Sequence, residues 1–167
     1  MDNSSKQDPK KLVVGWFSFT CSEDSTILFS ELLNDHFDQW KKVVEFRHMK
    51  TIKSKNKLEN LDVAFIEGAI SSNKQADELI KIRDNAKYVV AVGSCACTGM
   101  PSSSRNDFTD DMINDRITYF MQNFNYNPKV RRLEEIIKVD DMVNGCPMNV
   151  PVFLEVLNKY LKLFNIV

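Results

Sequence analysis

Residues 87–99 read KYVVAVGSCACTG. After Lys87 the run is apolar and rich in β-branched side chains. It shows no alternation, so it reads as a strand covered on both faces, as in a parallel sheet. Gly93 ends the run, and Cys95 and Cys97 follow before Gly99. A buried strand that runs straight into two thiols sets the fold and marks the first candidate site.

Toward the N-terminus the same pattern recurs. Residues 61–66 (LDVAFI) form another short, almost wholly apolar run. Residues 11–19 (KLVVGWFSF) read as a first strand and residues 43–48 as a second. Between them the spacing predicts a helix over 25–40, with Ile27, Leu28, Leu32, Leu33, Phe37 and Trp40 facing inward. A second helix is expected over 74–85, carrying Ala76, Leu79, Ile80 and Ile82. Toward the C-terminus a short last strand is expected over 139–143 and a closing helix over 150–164. Strands that alternate with helices argue for an α/β fold, a flavodoxin-like doubly wound and mostly parallel sheet. A long insertion, residues 98–132, precedes the last strand. It holds a possible helix over 110–123 and the aromatic residues Tyr119, Phe120, Phe124 and Tyr126, which fit either contact with another subunit or a small satellite core.

The 167 residues suit one domain over 11–167 behind a flexible polar lead, 1–10. Hydrophobic residues make up 43% and charged residues 27%, with a net charge of -1. No basic face is available for a phosphate backbone, so nucleic acid is not an expected partner. No apolar run approaches the length of a membrane span, and the N-terminus has no apolar signal core, so a cytoplasmic protein is expected. Two disulfides are uncommon in that compartment, which leaves metal binding or thiol chemistry for the four cysteines.

Their positions point one way. Cys21 follows the first strand, Cys95 and Cys97 the fourth, and Cys146 the last. In a parallel sheet these strand ends share one edge, where ligands of open α/β sheets bind. Gly68 follows the third strand, Gly93 and Gly99 bracket the C-x-C pair, and Gly145 precedes Cys146, all at points where backbone must come close to a ligand. Pro147 stiffens the last of these loops. Soft thiolates select zinc, copper(I) or iron–sulfur clusters. The spacing (one single, one C-x-C pair, one distant single) lacks the two local pairs of a structural zinc site. An iron–sulfur cluster, zinc, and plain buried or reactive cysteines all stay open on spacing. His36 and His48 read as structural, and Trp16 and Phe17 as core or interface anchors.

Four segments carry a resemblance: Thr20-Cys21-Ser22-Glu23-Asp24, residues 63–70 (VAFIEGAI), residues 92–99 (VGSCACTG) and residues 143–147 (VNGCP). In that order the chain resembles the small subunit of [NiFe]-hydrogenases, whose fold is shared by the 20 kDa cluster-bearing subunit of respiratory complex I. The resemblance implies an electron-transfer subunit that carries one [4Fe-4S] cluster and has no catalytic centre of its own. The implied partners are a [NiFe] large catalytic subunit and further iron–sulfur or flavin electron-transfer subunits. Cys21, Cys95 and Cys146 match family ligand positions. The usual C-x-x-C of the first segment is here Cys21-x-x-Asp24, so the expected ligand set is Cys21, Cys95, Cys97 and Cys146, since Cys97 keeps four soft donors, with Asp24, which otherwise reads as a helix N-cap, as the reserve ligand. Glu67 matches a family glutamate beside the cluster, placed to tune its potential or pass protons. With four cysteines the chain resembles the minimal, single-cluster cytoplasmic type. The adjacent Cys-Cys pair of the complex I counterpart is missing, which ranks a membrane-bound complex I-like host second. A non-redox zinc or thiol interaction module is the remaining alternative.

Overall fold

The computed structural model describes residues 9–167, so the expected lead over 1–10 falls outside the described residues except for Pro9 and Lys10. The strands are β1 (Leu12–Ser18), β2 (Val44–Met49), β3 (Leu61–Glu67), β4 (Ala86–Val92) and β5 (Asp141–Val143). They form one sheet in the order β2-β1-β3-β4-β5, and every neighbouring pair is parallel. This is the doubly wound order in which connections leave β1 and β3 in opposite directions, so a crevice opens between their carboxyl ends.

Both faces of the sheet are covered, which explains the unbroken apolar runs. Every residue of β3 is buried. Val14, Trp16, Val63, Phe65, Val90 and Val92 face α1 (Asp24–Val43) and α5 (Val150–Leu163). Phe17, Ala64, Ile66, Val89 and Ala91 face α2 (Asn73–Asp84) and a 3-10 turn at Leu133–Glu135. On the first face Trp16 stacks on Phe29 at 4.2 Å, and Phe153 meets both rings edge-on.

Two inward faces differ from the expectation. In α1 the buried side chains are Ser25, Thr26, Phe29, Leu33 and Trp40, whereas Ile27 and Phe37 are exposed. The helix is rotated so that Phe29 reaches the aromatic core and Thr26 reaches the site edge. In α2 Ile80 is exposed while Ala76, Leu79 and Ile82 are buried, an i, i+3, i+6 stripe.

β4 passes directly into a short helix, α3 (Gly93–Thr98). The insertion that follows contains a 3-10 helix (Ser102–Asp107) and α4 (Asp115–Asn123). No residue of α4 is buried. Phe120, Phe124 and Tyr126 stack in series at the surface, Tyr119 meets Phe120 edge-on, and the four do not form a satellite core. The insertion returns to the body through the Ile70–Arg131 bridge and the Asn127 N–H, which donates to Ser71 O at 2.7 Å. No described helix is long and apolar enough to cross a membrane.

Candidate functional site

The site lies at the carboxyl edge of β1, β3, β4 and β5, and backbone bonds draw its loops together. Thr20, after β1, pairs with Ala69, after β3, in an antiparallel bridge. The Ser94 N–H, after β4, donates to Gly145 O, after β5, at 2.8 Å. The Met148 N–H donates to Ser25 Oγ at 3.2 Å, which ties the Cys146 loop to the start of α1. Gly93 fills the narrow space between them. With φ at +80°, it would place a Cβ 3.0 Å from Ser25 Oγ and 3.6 Å from Gly145 O. Gly145 is tighter still, since a Cβ there would stand 2.6 Å from Pro147 O. Pro147 follows Cys146 through a cis peptide bond, and Gly145 bridges to Met148 around them.

Three thiols and one carboxylate lie at this edge in two pairs, Cys21 with Cys95 and Cys146 with Asp24. Cys21 is half-buried and packs with Cys95, Ala69 and Val130. Its sulfur accepts the Glu23 N–H at 3.4 Å. Cys95 is buried, and its sulfur lies 3.2 Å from Ser102 Oγ. Cys146 is exposed, and its thiol donates to Asp24 Oδ2 at 3.8 Å. The fields of Cys95 and Glu67 reach both Cys21 and Cys146.

Cys97 is placed elsewhere. Two residues along an α-helix turn through about 200°, so α3 sends Cys95 toward the site and Cys97 away from it. Cys97 is buried in the core with Ala64, Ile66, Ala91 and Leu133, and its thiol donates to Ala91 O at 3.5 Å. The structure therefore brings together three of the four expected thiols, with Asp24 in the position nearest to a fourth donor.

Asp24 does not act as an N-cap. Residue Glu23 occupies that position, in the left-handed region at φ 61°, and makes no side-chain cap bond. The Asp24 carboxylate instead accepts from Ser22 Oγ at 2.7 Å and from the Cys146 thiol. Capping is supplied from a distance by Glu67, which is 4% exposed. Its Oε1 accepts the Ser25 N–H at 3.0 Å, and its Oε2 accepts the Thr26 N–H at 3.0 Å and Thr26 Oγ1 at 2.6 Å. Thr26 Oγ1 in turn accepts Trp16 Nε1 at 2.8 Å. No ion pair among the described residues engages Asp24 or Glu67.

Burial, then the Glu67 charge, pushes the Cys21 thiol up to about 12. Desolvation, then the Asp24 carboxylate, raises Cys146 as well. Burial pushes Cys97 up to about 11. Carboxylates with no cation beside them favour the protonated thiols of Cys21 and Cys146 unless a metal replaces the protons. Donors for a single zinc ion converge at about 2.0–2.3 Å on one point. Among the described residues no three His, Cys, Asp or Glu side chains are close enough for that.

His48, expected to be structural, stacks on Phe17 at 4.2 Å, and its Nδ1 lies 3.2 Å from Trp16 O. His36 stacks on Trp40 at 5.1 Å. Sequence reasoning passed over Ser25, which directly follows Asp24, and Ser102, which reaches the site from the insertion; neither hydroxyl carries a local signature.

An open parallel sheet with soft donors at its switch point defines a thiol-bearing member of the doubly wound class. Residues 21–160 match the family model described as the 20 kDa subunit of NADH ubiquinone oxidoreductase, and the chain belongs to that family. It is 27% identical over 142 residues to the sulfhydrogenase 2 subunit delta of Pyrococcus furiosus, covering 82% of this chain and 55% of that one. It is 24% identical over 115 residues to the NAD-reducing hydrogenase HoxS subunit delta of Cupriavidus necator, covering 60% and 55%. The chain thus spans about half the length of these curated relatives. A chain of an NAD+-reducing [NiFe]-hydrogenase in the H2-reduced state shares the fold, with a TM-score of 0.74 at 21% identity over 91% of this chain and 92% of that one.

Proposed function

We propose that this chain is the electron-transfer small subunit of a cytoplasmic [NiFe]-hydrogenase complex and holds one [4Fe-4S] cluster. The observation that carries the reading is the convergence of Cys21, Cys95, Cys146 and Asp24 on the edge where β1 and β3 diverge. The donor set fits the group: three thiolates and a carboxylate, spaced more widely than one ion needs, suit a cofactor that offers each ligand its own iron. When bound, the cluster supplies one-electron transfer between a partner's catalytic centre and an acceptor.

The residues of this chain hold and orient. Cys95 anchors the site from the core side, and exposed Cys146 opens it to a partner subunit. Asp24 is the proposed fourth ligand, since Cys97 faces the opposite compartment. Glu67 fixes the first turn of α1 and thereby Asp24. Gly93, Gly145 and Pro147 shape the backbone around the site. The proposed partners are a [NiFe] large subunit and further iron–sulfur or flavin subunits, in keeping with the hydrogenase names of its relatives.

A membrane-bound complex I-like host is the second reading, favoured by the family's own description. The test is the iron, nickel, zinc and acid-labile sulfide content of the native complex, purified anaerobically. Nickel in the complex, with about four iron and four sulfide on this subunit, supports the first reading. Co-purifying integral membrane subunits without nickel support the second. Zinc without sulfide overturns both and leaves an interaction module.

A further inference from the structure

The insertion delivers three consecutive serines near the site, and only one faces it. Ser103 Oγ donates to Met100 Sδ at 3.3 Å, and Ser104 Oγ donates to Pro101 O at 2.6 Å. Ser102 Oγ stands 3.2 Å from Cys95 Sγ and donates to Thr20 O at 3.1 Å. One hydroxyl therefore touches the sulfur of one loop and the backbone immediately before Cys21 of another.

A serine has a single hydrogen to donate. While Cys95 is a thiol, its S–H donates to Ser102 Oγ and the serine hydrogen goes to Thr20 O. A ligating cysteine is a thiolate and has no hydrogen. The acceptors of the serine hydrogen are then a neutral carbonyl and an anionic sulfur, and the charge-assisted bond is the stronger. Thr20 O can release the hydroxyl at little cost, because it also accepts the Ala69 N–H at 2.9 Å. The hydrogen turns from oxygen to sulfur by rotation about the Cβ–Oγ bond, and no heavy atom need move.

The geometry points to Ser102 as a positioning residue that donates to the Cys95 thiolate and raises the reduction potential of the bound cofactor. This rests on the cluster reading above. A hydrogen bond to a ligand sulfur favours the more negative, reduced state, so it shifts the potential upward. The long insertion thereby has a defined task at the site: its first 3-10 turn brings a hydroxyl against the Cys95 sulfur.

The test uses the full chain loaded anaerobically with iron and sulfide, with iron content and midpoint potential measured for wild type, Ser102→Ala, Ser102→Gly and Ser102→Thr. The expected result is full loading throughout, a more negative midpoint in Ser102→Ala and Ser102→Gly, and a midpoint near wild type in Ser102→Thr. If the alanine and glycine variants fail to load while the threonine variant loads, the hydroxyl is needed to hold the thiolate, which also supports the inference. A wild-type midpoint in any loaded variant lacking the hydroxyl overturns it, as does failure of all three variants to load. A wild-type chain that takes up no iron and sulfide overturns the cluster reading instead.

Discussion

Glu67 Oε2 accepts two hydrogen bonds from the same residue, Thr26, through its N–H at 3.0 Å and its Oγ1 at 2.6 Å. The end of a central strand thus satisfies the open amides of a 20-residue helix whose own N-cap, Glu23, supplies no side-chain acceptor. The negative carboxylate also faces the positive end of the helix dipole. The consequence is positional: Asp24 and the Cys21 loop are held against β3 by a side chain 41 residues away from Thr26.

Glu67→Gln should therefore destabilise the fold by about 1–3 kcal/mol, since one amide oxygen replaces two accepting oxygens and the new NH2 faces existing donors. Glu67→Ala should cost more, because it adds a cavity to three orphaned donors. Urea unfolding of the full chain measures both. A Glu67→Gln variant within about 0.5 kcal/mol of wild type would show that the carboxylate does not hold the helix.

Cys97→Ala should leave iron loading unchanged and cost about 1–2 kcal/mol for a small cavity in the α2-side core. Cys95→Ala, two residues away, should abolish loading at a similar packing cost in the unloaded chain, because Cys95 is buried too. The pair separates ligand from packing residue by iron content, and the unfolding midpoint checks that both unloaded variants fold. Loss of iron in Cys97→Ala with its stability intact would return Cys97 to the ligand set.

The sheet was legible because strands buried on both faces are apolar over most of their length: β3 departs from this only at Asp62 and Glu67, and β4 only at its entry, Lys87 and Tyr88. Helix faces were legible only in part. Ile27 and Phe37 fit an apolar stripe as well as Phe29 does, and the choice among them is made by what the sheet offers opposite, here the ring of Trp16. The six residues of α3 have no amphipathic period, so Cys95 and Cys97 read as neighbours in a loop and not as opposite sides of a helix. Ser102 contacts Thr20 across 82 residues, and no local pattern announces such a contact.

Asp24 is testable as the fourth ligand through the iron count. Asp24→Ala should lower iron per loaded chain from about four to about three, with the spectrum of a three-iron cluster, since one corner loses its protein donor. Asp24→Cys supplies the soft donor that the family pattern places there. It should slow iron release to a chelator relative to wild type. Four irons in Asp24→Ala, released at the wild-type rate, would remove Asp24 from the set.

Asp140 supplies a pH test of how the Cys146 loop is held. It precedes β5, and its Oδ2 accepts Arg83 Nη1 at 2.6 Å and the Val89 N–H at 2.9 Å. Arg83 also donates to Ala86 O and Lys87 O, so the pair joins the end of α2 and the start of β4 to the entry of β5. Burial alone would raise the Asp140 carboxyl, but the Val89 N–H and the Arg83 guanidinium outweigh it and hold the carboxyl below the ordinary aspartate range. A depressed value in the folded state means that the unfolded chain takes up a proton first as pH falls. The stabilisation is therefore complete above about pH 5 and is lost as pH falls through the unfolded value near 3.9 and then the lower folded one. Asp140→Asn should destabilise the chain by about 2 kcal/mol near pH 7, because Arg83 loses its charged partner and the Val89 N–H is left with a neutral amide oxygen as acceptor. Exposed Lys138 adds little to this, being 81% accessible. The gap between wild type and variant, measured by urea unfolding, should close as pH is lowered from about 5 to about 2. A gap that stays constant over that range would mean that shape, and not the carboxylate charge, accounts for the contribution of Asp140.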